Sequence, residues 1–209
     1  MWSSLKLKYD EADYFLSQLK VHVKHPKIFL FYLSAFLSSA RSVTFHLQKQ
    51  AASQGKTDLY RQLQRELLSD KVCQFFIDAR NQTEKESYLQ LSLFYMNGMP
   101  QKPGEKPAWM VRAIASITIG SNEPFFKYID EILERDWDCA HRIYSSHGHY
   151  QEQFVWMFKG YPTGTGKAGY KKVLSACEEY LDRLWALLVK FRIQLDQAFQ
   201  DQLGDREQK

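Results

Sequence analysis

Tyr170, Leu174, Cys177, Leu181, Leu184, Leu188, Phe191 and Leu195 follow one another in alternating steps of four and three residues, with no break in the stripe. At 3.6 residues per turn that spacing lies along one side of an α-helix, whereas a strand would scatter it over both faces. A chain carrying so long an apolar stripe has to bury it, either against a second copy as a coiled-coil seam or against other helices of its own bundle. The bundle is the commoner solution for a single such helix. The polar stretch 201–209 that follows is expected to fray.

The first half of the chain supplies helices to cover that stripe. Ala12, Phe15, Leu16, Leu19 and Val23 recur at helical steps up to His25-Pro26. Pro26 suits the first turn of a second helix, where its missing N–H has no intrahelical partner. That helix is predicted to reach about Ala52, with Phe29, Leu33, Phe36, Leu37, Ala40, Val43 and Leu47 on its apolar side. Ser38, Ser39 and Ala40 are small enough for a neighbouring helix to approach closely, and Gln54-Gly55 supplies a glycine stop. Thr57 and Asp58 are candidate caps for a third helix bearing Leu59, Leu63 and Leu67. Ser69 or Asp70 would cap a fourth, bearing Val72, Phe75, Phe76 and Ala79.

Beyond Ser87 the period changes to two: Leu89, Leu91 and Leu93 alternate with Gln90 and Ser92, and Val111, Ala113, Ala115, Ile117 and Ile119 alternate likewise. This predicts a small β-hairpin insertion around 88–119, with an exposed loop over 97–107, too rich in Asn, Gly and Pro for a tight turn. Asn122-Glu123-Pro124 would open a helix through Phe125, Ile129, Ile132 and Leu133, and 160–169 reads as an irregular connector. The expected fold is mainly α: one domain over 1–209, an up-and-down bundle of four to five long helices with the hairpin inserted at 88–120.

Composition narrows the class. Hydrophobic residues make up 44% and aromatics 15%, enough for a packed core without staples. The net charge of +4 is spread along the chain, which permits nucleic acid without implying it. Cys73, Cys139 and Cys177 are odd in number and far apart, so neither a disulfide framework nor a paired zinc knuckle is indicated and a reducing, cytoplasmic setting is expected. Met1-Trp2-Ser3-Ser4 leads into charged residues, unlike a secretory signal, and the run from Ile28 to Leu37 is about half of a bilayer span, so no membrane association is expected.

The stretch Phe75-Phe76-Ile77-Asp78-Ala79-Arg80-Asn81-Gln82-Thr83-Glu84-Lys85-Glu86, preceded by Phe36-Leu37-Ser38-Ser39-Ala40-Arg41-Ser42-Val43, resembles the HEPN (higher eukaryotes and prokaryotes nucleotide-binding) superfamily over roughly residues 10 to 90. The resemblance implies a helical bundle, a homodimer, RNA as ligand, and metal-independent ribonuclease activity from an Arg, polar residue, spacer and His motif shared across the dimer. Defence and toxin–antitoxin systems are the implied setting. Arg80 and Asn81 match that motif; the His does not, because Lys85, Glu86 and Ser87 occupy its positions.

Cleavage through a 2′-hydroxyl needs a group that takes and gives a proton near neutral pH, the natural role of histidine. Lys85, whose ordinary pKa is about 10.4, is better suited to holding phosphate as a point charge. Arg80, with Arg41 and Lys85, is therefore a candidate phosphate contact, and Arg80, Asn81 and Lys85 are the candidate catalytic set. His147 and His149, with His141 nearby, are candidate proton donors. Against this stands a plain alternative: Arg80 and Glu84 are four apart and can form an intrahelical ion pair.

Cys139, His141, His147 and His149 match no standard zinc spacing, so neither metal nor cofactor is expected. Gly160-Tyr161-Pro162-Thr163-Gly164-Thr165-Gly166-Lys167 is out of register for a P-loop, with Ala168 where a magnesium-binding hydroxyl belongs. Trp109, Phe125, Phe126, Trp137, Trp156 and Phe158 could stack on bases, although core packing accounts for most of them better. Two functions follow as expectations: an RNA-binding or degenerate ribonuclease protein, and a non-catalytic bundle that binds a partner protein.

Overall fold

A computed structural model of the chain describes residues 2–85, 90–99, 108–118, 151–162 and 168–207. Five helices and four strands occur among them: α1 (Trp2–Val21), α2 (Pro26–Ser53), α3 (Thr57–Ser69), α4 (Lys71–Lys85), β1 (Gln90–Met99), β2 (Ala108–Thr118), β3 (Gln151–Pro162), β4 (Ala168–Lys172) and α5 (Val173–Glu207). The fold is mainly α with an antiparallel hairpin, as expected. The hairpin is larger than expected, because β1 pairs on its other edge with β3, and β3 with β4, in the order β2-β1-β3-β4.

The helix ends follow the local signals. His25 stands at the N-cap of α2 with proline in the first turn. At the other end Gly55 takes a φ of 66°, its N–H donates to the Ala52 carbonyl at 3.1 Å, and the Lys56 N–H donates to the Ala51 carbonyl at 2.8 Å. Those two bonds are a Schellman closure, which needs glycine at the left-handed position. Because the chain turns so tightly, Lys56 becomes the N-cap of α3, and Thr57 and Asp58 fall inside its first turn rather than capping it. Asp58 instead lies 3.1 Å from Arg61. Asp70 does cap α4: its Oδ1 accepts from the N–H groups of Val72 and Cys73 at 2.8 and 3.1 Å.

α2 is the central helix. Phe29, Leu33, Phe36, Ala40, Val43 and Leu47 are fully buried along it. By length and composition Lys27–Ser53 could cross a membrane, and half of its most apolar window lies inside the bundle. The stripe on the last helix also faces the core. Cys177, Leu184 and Leu188 are completely covered, with Leu181 and Phe191 nearly so. It is therefore not a free seam. Tyr170, read as its first residue, lies in β4 and is half-exposed, and the helix begins at Val173. The tail expected to fray from Asp201 is helical to Glu207.

Phe76 stacks on Tyr180 with centroids 4.4 Å apart, while Asp70 lies against Arg183, so α4 and α5 run antiparallel. Lys20 meets Glu178 while Tyr9 meets Trp185, so α1 and α5 are antiparallel as well. The buried side chains divide into two clusters. One centres on Phe29, Phe36, Phe76 and Tyr180; the other gathers Val43, Leu47, Tyr60, Leu63, Leu188 and Phe191.

The sheet packs onto the first cluster. Trp156 stacks on Phe29 at 4.6 Å and its Nε1 donates to the Val23 carbonyl at 2.8 Å, which ties β3 to the turn between α1 and α2. Trp156 and Phe158 are alternate residues on the inner side of β3. Simple alternation would place Gly160 there next and turn Tyr161 outward. The register shifts between Lys159 and Tyr161, Gly160 takes a φ of 80°, and the bulge returns Tyr161 to the core side at 3% exposure. Phe75 then touches both rings, at 5.2 Å from Phe158 and 5.0 Å from Tyr161.

The segment read as a connector over 160–169 is thus partly strand, Gly160 to Pro162 closing β3 and Ala168 and Gly169 opening β4. Likewise Asn97, Gly98 and Met99, read as the start of the loop over 97–107, pair with Met110, Trp109 and Ala108. Backbone pairing with a facing strand outweighs the turn tendencies of Asn and Gly. The helix expected from Asn122, and positions 100–107 of the loop, lie outside the described residues.

Candidate functional site

α4 presents Val72, Cys73, Phe76 and Ala79 to the core, one face of a helix, and this orientation sets the next residue at the edge of the buried surface. Arg80 is half-buried, and its Nη1 donates to Asn81 Oδ1 at 3.3 Å. Thr83 Oγ1 donates back to the Ala79 carbonyl at 2.8 Å in the following turn. The helix ends at Lys85. Of the expected set, Arg80 and Asn81 are brought together. The side chains of Glu84 and Lys85, and all of Cys139, His141, His147 and His149, lie outside the described residues.

Arg41 occupies different surroundings. It sits on α2 where the two core clusters meet and lines a pocket of about 80 Å³ together with Thr44, Tyr60, Leu63, Leu67 and Ile77. Arg80 is not part of that lining. Arg41 Nη1 donates to Thr44 Oγ1 at 2.6 Å, and the same hydroxyl donates to the Arg41 carbonyl at 2.9 Å, so its lone pairs are turned toward the guanidinium. Among the described residues no carboxylate pairs with Arg41. Tyr60 is 5% exposed, and burial raises its hydroxyl pKa above the ordinary value while the Arg41 charge pulls the other way. Thr44 stands one turn on from Arg41 along α2, whereas nothing in the sequence marks Tyr60 as its neighbour, because the two come together only when α2 and α3 pack.

A third polar group binds α4, the sheet and α5. Arg183 reaches Asp70 at 2.8 Å and Glu179 at 3.0 Å; Glu179 accepts from the Tyr161 hydroxyl at 3.0 Å and lies 3.2 Å from Lys171. Burial opposes ionisation of Glu179, but hydrogen bonds from Tyr161 and Lys171 and the nearby Lys171 and Arg183 charges outweigh it and lower the pKa. Burial likewise opposes ionisation of Asp70, and the two backbone N–H groups with Arg183 hold its pKa below the ordinary value. Every member is matched, which suits a structural clasp rather than a reacting centre.

Among the described residues no group of three His, Cys, Asp or Glu is placed to hold a metal. His22 stacks on Tyr32 at 5.2 Å, and His46 Nδ1 lies 2.9 Å from the Ser42 carbonyl. Trp156 and Phe158, candidates for base stacking, are buried in the core. Compared with protein-family models, with curated proteins and with solved structures, the chain finds no match.

Proposed function

We propose that this chain is a HEPN-like cytoplasmic binding protein that holds a phosphate-bearing ligand, RNA above all, at the Arg80 and Asn81 end of α4. The observation that carries the reading is the orientation of Arg80 by Asn81 at the rim of the core, which sets a guanidinium in advance for bidentate contact with phosphate oxygens. The absent histidine separates binding from cleavage, because phosphate can be held without proton transfer. The test is fluorescence anisotropy of a labelled single-stranded RNA with the wild type, Arg80→Ala and Arg80→Lys, with cleavage followed in the same samples. Arg80→Ala is expected to weaken binding by about tenfold or more, the loss of a charge-assisted hydrogen bond. Equal affinity of wild type and Arg80→Ala would overturn the reading, and Arg80-dependent cleavage would extend it to a ribonuclease.

A second reading, a bundle that binds a protein partner, draws on α2 rather than on the stripe of α5. Phe31 and Phe45 are 62% and 47% exposed. They lie fourteen residues apart, four helical turns, on the same side as Ala35, Ser38 and Ser42. If the partner on this face is a second copy of the chain, sedimentation velocity will show a dimer that a Phe31→Ser, Phe45→Ser variant converts to monomer. A monomeric wild type counts against it.

A further inference from the structure

The Arg41 pocket carries an inference that does not depend on the Arg80 reading. The Arg41 guanidinium has five N–H donors, of which Thr44 engages one. No Arg41 nitrogen is both enclosed and unpartnered, so its remaining donors stay open to a ligand that enters the pocket. Tyr60 adds a neutral hydroxyl on the same pocket, no described residue hydrogen-bonds it, and it can donate to an anion held by Arg41. Leu63 and Leu67 form buried walls, Ile77 and Leu187 close the sides, and exposed Gln64 and Leu68 form the rim.

We propose that this pocket binds a small monocarboxylate with a short branched alkyl body, its carboxylate on Arg41 and the Tyr60 hydroxyl and its alkyl group against Leu63, Leu67 and Ile77. Size, charge and polarity each narrow the class. The volume of about 80 Å³ is about half that of a protein cavity that takes benzene, which suits an acid of three to five carbons. One guanidinium balances one negative charge and matches a carboxylate bidentately. Aliphatic walls reward an alkyl group, whereas a phosphate dianion would surrender hydration to a site with a single cation.

The experiment is a titration of the purified chain with isobutyrate, isobutyramide and inorganic phosphate, followed by thermal unfolding and by calorimetry. Isobutyrate should bind saturably and raise the melting temperature, while the neutral amide and phosphate should not. Arg41→Gln should fold, because no described carboxylate loses its partner, and should abolish the effect. Tyr60→Phe should weaken binding by about fivefold, one neutral hydrogen bond. Gln64→Trp, a change on the exposed rim, should block entry and so provides a second variant should Arg41→Gln not fold. Binding of the amide as tightly as the acid, retained binding in Arg41→Gln or Gln64→Trp, tighter binding of phosphate, or no saturable binding of isobutyrate would each overturn the proposal.

Discussion

Asp70 and Arg183 are joined across 113 residues of sequence by a 2.8 Å hydrogen bond from Arg183 Nε to Asp70 Oδ2, while the other carboxylate oxygen caps α4. One side chain thus starts a helix and fastens it to α5. Asp70→Ala should lower unfolding stability by about 2 kcal/mol, combining loss of a cap with loss of a charge-assisted bond, and urea denaturation measures it. Asp70→Asn should cost less, because an amide oxygen still caps. A cycle with Arg183→Ala should return a coupling of at least about 0.5 kcal/mol; strict additivity would show that the cap alone matters.

Acid should loosen the same clasp. Asp70 and Glu179 both have folded pKa values below their ordinary 3.8 and 4.5. A depressed folded pKa contributes stability that is fully present above the ordinary value and lost as pH falls through the folded one. The melting temperature is therefore expected to hold down to about pH 5 and to fall below it, on the ordinary carboxylate range. The slope should flatten in an Asp70→Asn, Glu179→Gln variant. An unchanged slope in that variant would place the acid sensitivity elsewhere.

Gly160 should tolerate no side chain cheaply, although space is not the reason. A Cβ there would meet nothing within 4 Å, but φ is 80°. Gly160→Ala should cost about 1 kcal/mol through backbone strain alone. If the bulge is lost instead, Tyr161 is displaced from Glu179 and the near-ultraviolet circular dichroism of the aromatic cluster should change.

Phe76 is the centre of that cluster, stacked on Tyr180 and edge-on to Phe36 and Phe158. Phe76→Ala should cost about 3 to 5 kcal/mol, the range for emptying a large aromatic site. A loss below about 1 kcal/mol, read from denaturant midpoints, would mean that the core collapses onto the vacancy.

The thiols offer a check on burial. Burial and then the Asp70 charge push Cys73 up to about 12, and Cys177, completely covered, is raised as well. Both should resist Ellman's reagent at pH 8 in the folded protein and react once it is unfolded, since the thiolate is the reactive form. Fast reaction of two or three thiols in the native state would contradict their placement.

The helices were legible because their information is local. Leu181, Leu184, Leu188 and Phe191 announce one buried face through steps of three and four, and the cap at Asp70 and the stop at Gly55 lie within three residues of the groups they satisfy. The same reading placed caps at Thr57 and Asp58, where the tight Schellman turn had already started the helix at Lys56. β3 went unread, although Trp156 and Phe158 alternate with Met157, because Gly160 breaks the two-residue period and a bulge cannot be told from a turn without the facing strand.

What the sequence by itself determined, then, is which of the described segments are helices, which of their faces turn inward, and that Arg80 and Asn81 adjoin on the last turns of α4. The tertiary structure alone decided that Leu91 meets Phe158, that Tyr161 reaches Glu179, and that Arg41 shares a pocket with Tyr60 while Arg80 does not. The physical reason is distance along the chain. Helical periodicity is set by neighbours within one turn, whereas sheet register, the clasp and the pocket depend on groups brought together only when the two core clusters close.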